Sequence, residues 1–138
     1  MEKTSINDQS ASSSDTSTKS SKLKTAYQTF LQEAAMLFPK VDQKLLLNIL
    51  QFETTYKDWE GSVMLKIIYP AKISDIYAKK DWIYNKYQRV SAIQEDRTLR
   101  FKAIRMYIGE IENLLKEDPE IEYITGSATM TPSDAYAT

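Results

Sequence analysis

Histidine and cysteine are both absent from the 138 residues. Without histidine the chain lacks the commonest general base and the commonest metal ligand, which excludes Ser–His and Cys–His triads. Without cysteine there is no disulfide, no thiolate nucleophile and no thiolate metal site. No G-x-G-x-x-G or G-x-x-x-x-G-K-[ST] phosphate loop occurs, and no D-x-D-x-D-G calcium loop. An enzyme is therefore the weaker expectation, and no catalytic residue, metal ligand or cofactor is assigned. No run approaches the roughly 18 apolar residues that a membrane span needs. The opening "MEKTSINDQSASSSDTSTKSSK" has no apolar core of a secretory signal. Glycine numbers only three, which argues against a fold rich in β-turns.

What is present is a polarised charge pattern. The net charge is −1, but residues 71–105 carry nine basic and four acidic side chains, and residues 106–138 carry one basic and seven acidic. Residues 1–70 are balanced, eight against eight. A basic middle and an acidic end suggest a basic contact surface with the acids held away from it. The plainer alternative is a solvated helix surface on which charges cluster by chance.

Along the chain, half of residues 1–22 are Ser or Thr. Such a segment buries too little to offset its ordering entropy and is expected to be a flexible arm. Leu23, Tyr27, Phe30, Leu31, Ala34, Ala35 and Phe38 then recur at helical spacing until Pro39. Asp42 is placed to cap a second helix carrying Leu45, Leu46, Ile49 and Leu50. "VMLKIIYPA" suits a strand by its β-branched pair but has no evident partner, so it reads as a short buried helix ending at Pro70. A long helical region follows from about Ile73 to Lys116, with "QEDRT" as a turn inside it, and Pro119 stops the last helix. The expected fold is all-α: a four- to five-helix bundle over residues 23–124, with an extended arm (1–22) and a short non-helical tail (125–138).

Function is sought among the cations. Lys72, Lys79 and Lys86 are seven apart and drift only about 20° per step round a helix. Arg89 lies a turn beyond, Lys80 adjoins Lys79, and Arg97 and Arg100 extend the row if the helix continues. Lys19, Lys22 and Lys24 sit where the arm meets the first helix. A row of cations on one face is what following a polyphosphate backbone requires. Trp82, Tyr84 and Tyr87 interleave with it, either stacking on bases or, as their spacing favours, filling the core. The acidic run "EIENLLKEDPEIE" reads as a solvated face or an intersubunit partner for the basic row.

Two stretches carry a family resemblance. In "AYQTFLQEAAMLFPKVDQKLLLNIL" an aromatic-bearing helix meets a proline and then an apolar helix. In "IRMYIGEIENLLKEDPEIEYITGSATMTPSDAYAT" a tyrosine-bearing helix leads to a proline stop, "ITGS" and a Ser/Thr/Ala/Tyr tail. Together they resemble the major coat proteins of rod-shaped and filamentous archaeal viruses. The resemblance implies a helical-bundle virion protein, without enzymatic activity, that dimerises with itself or a paralogous coat protein and polymerises around double-stranded DNA in an A-like form. It further implies a nucleocapsid, assembled in the host cytoplasm, that a lipid envelope surrounds in filamentous members. The tail is then expected to lie extended on a neighbouring subunit. The competing expectation is a small helical adaptor that binds a protein partner and no DNA.

Overall fold

A computed structural model of the chain describes residues 11–130, with side chains from residue 18 onward. What was expected of residues 1–10 and 131–138 lies outside the described residues. The chain divides into two units, Met1–Leu37 and Phe38–Thr138.

The first unit contributes one helix, α1 (Ala11–Leu37). It begins well inside the segment expected to be a structureless arm. No Gly or Pro between Ala11 and Leu37 interrupts propagation from the apolar half. The helix ends as expected beside Phe38 and Pro39, because the residue before proline is pushed out of the α region.

The second unit is not a helical bundle. It runs α2 (Gln43–Thr55), β1 (Val63–Ile68), α3 (Ile76–Tyr87), β2 (Ala92–Gln94), β3 (Thr98–Ala103), α4 (Ile108–Glu117) and β4 (Tyr123–Ala128). The strands form one antiparallel sheet in the order β2-β3-β1-β4. From β1 onward this is the split β-α-β arrangement, β-α-β-β-α-β. The all-α expectation is overturned: the chain is mixed α and β.

Two misread stretches explain the change. "VMLKII" alternates buried and half-buried residues along its length, the period of a strand with one face on a core. Its missing partner is "TLRFKA", which the long helix reading had absorbed; Leu65 pairs with Phe101 and Ile67 with Leu99. "QEDRT" is a turn, but a hairpin turn joining β2 to β3. Glu95 and Asp96 both have positive φ, 53° and 61°, and the Arg97 N–H donates to the Gln94 carbonyl at 3.2 Å. Two positive-φ central residues match the right-handed twist of the strands. Glycine usually fills such a turn, so its scarcity was a misleading signal.

Val63, Leu65, Ile67, Leu99, Phe101, Ala103 and Ile124 are buried on one face of the sheet. Three helices cover that face. Leu45, Leu46 and Ile49 of α2, Ile76 and Ile83 of α3, and Ile111 and Leu114 of α4 are buried with it. The Tyr87 ring of α3 lies 5.5 Å from that of Phe101. Asp42 caps α2 as expected, accepting from the Lys44 N–H at 3.4 Å, and α4 stops one residue before the Asp118–Pro119 pair.

The start of the tail expected to lie on a neighbouring subunit, residues 125–128, belongs instead to strand β4 of the chain's own sheet. Ile124 is fully buried, and its N–H donates to the Lys40 carbonyl at 2.7 Å while its own carbonyl accepts from Asp42 N–H at 2.8 Å. Those bonds cover the outer edge of β4, which would otherwise offer unpaired groups to other chains. Gly126 (φ +146) packs so close to β1 that a Cβ there would run into the Met64 carbonyl oxygen.

Candidate nucleic-acid interface

The cations expected to form a row are distributed over several elements. Lys19, Lys22 and Lys24 are exposed on α1; Lys19 and Lys22 are neighbours at i,i+3, and Lys24 lies round the helix from them. Lys72 is exposed but precedes α3, so it is not on the helix that carries Lys79 and Lys86. Arg97 sits in the hairpin, donating to the Tyr69 carbonyl and to Glu122, both at 3.2 Å. Arg89 follows the end of α3, and Arg100 is on β3.

Lys79 and Lys86 share a face of α3 as predicted, but that face is turned to the acidic end of α4. Lys79 Nζ lies 2.8 Å from Asp118 Oδ1 and 2.8 Å from Glu120 Oε1, and Lys86 Nζ lies 2.7 Å from Glu117 Oε1. Asp118 is 3% exposed and also accepts from the buried Tyr69 hydroxyl at 2.8 Å. Glu117, Asp118 and Glu120 of the acidic run thus hold α3 within its own unit, while Glu112 and Glu122 of the same run are exposed, as a solvated face would have them. Burial and then the Asp118 hydrogen bond raise the Tyr69 phenol far above its ordinary value. Burial alone pulls the Lys79 ammonium down, but its bonds to Asp118 and Glu120 outweigh that and leave it raised. Lys80, half-buried on the same helix, is set apart from this network.

A different set of cations gathers on the sheet. Side chains alternate across a strand, so the residues between the core positions face away from the three helices. On β1 these are Met64, Lys66 and Ile68; on β3 they are Thr98, Arg100 and Lys102. Lys66 and Arg100 are directly opposed in register, with Thr125 on one side and Ala92 on the other. Opposed Cβ atoms stand about 5 Å apart, and Lys102 follows Arg100 by about 6.7 Å along the same face. Like charges directly opposed across a sheet are destabilising by a fraction of a kcal/mol to about 1 kcal/mol. An anion laid across them removes that cost.

No aromatic side chain of β1 or β3 is on this face, so the central strands offer nothing for bases to stack on. Tyr123, at the end of edge strand β4, is the aromatic nearest to it in register, beside Ile68. The face can hold phosphates and has little with which to read a sequence. Lys66 and Lys102 were missed because the period-two alternation of "VMLKII" and "TLRFKA", which would have placed them, was interpreted as helix.

Among the described residues no group of three or more carboxylates stands where it could hold a metal ion, and no helix is long and apolar enough to cross a membrane. No family model, no curated protein and no solved structure matches the chain.

Proposed function

We propose that this protein binds double-stranded DNA without sequence preference and without enzymatic activity, through phosphate contacts on the sheet face turned away from α2, α3 and α4. The observation behind this is the opposed pair Lys66–Arg100, with Lys102 beside it, on central strands bare of aromatics. Lys19, Lys22 and Lys24 of α1 add cations for the same backbone. Fluorescence anisotropy with duplexes of unrelated sequence tests it. Affinities within a few-fold of one another support the proposal; binding confined to one short sequence, or tightest to an uncharged backbone analogue, overturns it.

The coat reading asked for more: polymerisation on DNA, a second coat protein as partner, an A-like duplex and an enveloped virion. Those expectations came with a helical bundle, which the chain does not form, and they rest on the resemblance alone. Phosphate contact by a basic surface does not need the bundle, and it is the part carried forward.

A second reading is favoured by α1. Leu23, Tyr27, Met36 and Leu37 are 74%, 51%, 71% and 66% exposed, and the positions 23, 27, 30, 34 and 37 follow the 4-3-4-3 spacing of a coiled-coil seam. This helix suits a protein partner. Sedimentation of Leu23→Ser/Leu37→Ser separates the two: a changed assembly state with unchanged DNA affinity assigns α1 to protein contact.

A further inference from the structure

Gln88 ends α3 in the left-handed region (φ 56), and the chain turns through Arg89 and Val90 to enter β2. Between this loop and strands β1 and β3 lies a groove of about 460 Å³. Met64 gives it an apolar wall, while Arg89, Arg100 and Lys102 line it with positive charge. No Asp or Glu among the described residues lines it. Ser91 lines it as well, is only 3% exposed, and its Oγ has no hydrogen-bond partner among the described residues. Buried hydroxyls are nearly always satisfied, so an unsatisfied one beside a cationic groove marks the place of a missing acceptor.

We infer that this groove binds a phosphomonoester carried on a flat apolar ring, the chemistry of a nucleoside monophosphate. Ser91 Oγ donates to a phosphate oxygen, Arg100 offers its planar fork to two more, and the ring lies along the Met64 wall. A bare phosphate would leave most of the groove empty, since its volume is that of a small-molecule site, in the range of about 300–1,000 Å³. A paired duplex cannot supply the ligand, because its bases are stacked away from the phosphates it presents. The source is a free nucleotide or the unpaired end of a strand. Arg100 and Lys102 also belong to the proposed DNA face, but the inference does not rest on that proposal, which needs neither the groove nor Ser91.

The test is calorimetric titration of the full chain with AMP, adenosine and inorganic phosphate. AMP should bind saturably, and adenosine and inorganic phosphate at least 10-fold more weakly. Ser91→Ala should weaken AMP about 3- to 10-fold, the value of one neutral hydrogen bond, with circular dichroism and the salt dependence of duplex binding unchanged. Arg100→Gln, at an exposed position that tolerates substitution, should weaken AMP at least as much. A 5′-phosphorylated single-stranded oligonucleotide that outcompetes its 5′-hydroxyl counterpart supports a strand end as the source; equal competition with AMP still bound supports the free nucleotide. AMP binding no tighter than adenosine or phosphate, or equally tight to Ser91→Ala and wild type, overturns the inference. Failure of duplex binding would leave all of these AMP results untouched.

Discussion

Consider the replacement of Lys66 and Arg100 together by glutamine. Both side chains stand on the sheet face turned away from α2, α3 and α4, opposed in register, and neither is tied to a carboxylate among the described residues. If each neutralises one DNA phosphate, the double variant releases two fewer counterions on binding. The slope of log K against log salt should then become shallower by about 1.8, at about 0.9 per phosphate. Between 50 and 200 mM salt the wild type should lose about 12-fold more affinity than the variant. The fold should not suffer, because removing a like-charged cross-strand pair is neutral or stabilising by up to about 1 kcal/mol. A raised or unchanged melting temperature therefore separates lost binding from lost structure. Fluorescence anisotropy across the salt series, with thermal melts of the same samples, measures both. Parallel slopes for wild type and variant would refute the reasoning, as would an equal change of slope in Lys79→Gln/Lys86→Gln, whose lysines are engaged by Asp118, Glu120 and Glu117.

Three further outcomes follow from the packing. Lys79→Met should lower stability by roughly 1.5–3 kcal/mol, because it strips a charged partner from Asp118, which is 3% exposed; a urea midpoint equal to wild type would show that the Tyr69 hydroxyl alone suffices. Gly126→Ala should cost about 3 kcal/mol or more, since it forces a side chain into φ +146 and onto the Met64 carbonyl oxygen; a soluble variant with unchanged urea midpoint would contradict the β1–β4 pairing. Stability should be flat to about pH 10 and fall above it. Tyr69 is raised by burial and then Asp118, Tyr87 by burial and then Glu110 and Glu117, both from an ordinary 10.0, so the folded state keeps protons that the unfolded chain has released. Each tyrosine removes about 1.4 kcal/mol per pH unit in that range, and Lys79, also raised, acts in the same direction above its ordinary 10.5. Urea midpoints that do not change from pH 9 to 12 would count against the burial of both phenols.

Local signals in the sequence were reliable where they depended on backbone chemistry. Pro39 and Pro119 end helices because proline lacks a donor and restricts the residue before it, and Asp42 caps α2 because its carboxylate reaches a free N–H. Apolar spacing identified the buried positions of α2, namely Leu45, Leu46 and Ile49. It failed from Ile73 to Lys116, where one helical period was drawn through α3, a hairpin and α4. Short strands of six residues or fewer hold too few repeats to distinguish a period of 2 from one of 3.6. The candidate site failed with them. Lys79 and Lys86 were correctly put on one face of one helix, but what faced them depended on where α4 came to rest.

The sequence by itself therefore determined the absence of histidine and cysteine chemistry, the concentration of positive charge in residues 71–105 and the helix stops at Pro39 and Pro119. These are properties of residue type or of a few bonded neighbours. Tertiary structure decided which cations remain available to a partner. Lys79 and Asp118 are 39 residues apart and meet at 2.8 Å, while Lys66 and Arg100, 34 apart, are brought side by side with nothing of opposite sign between them. Whether a lysine is neutralised or presented depends on strand register and helix packing. Those are set by the burial of Leu65, Phe101 and Ile124, an apolar driving force that takes no account of where the charges fall.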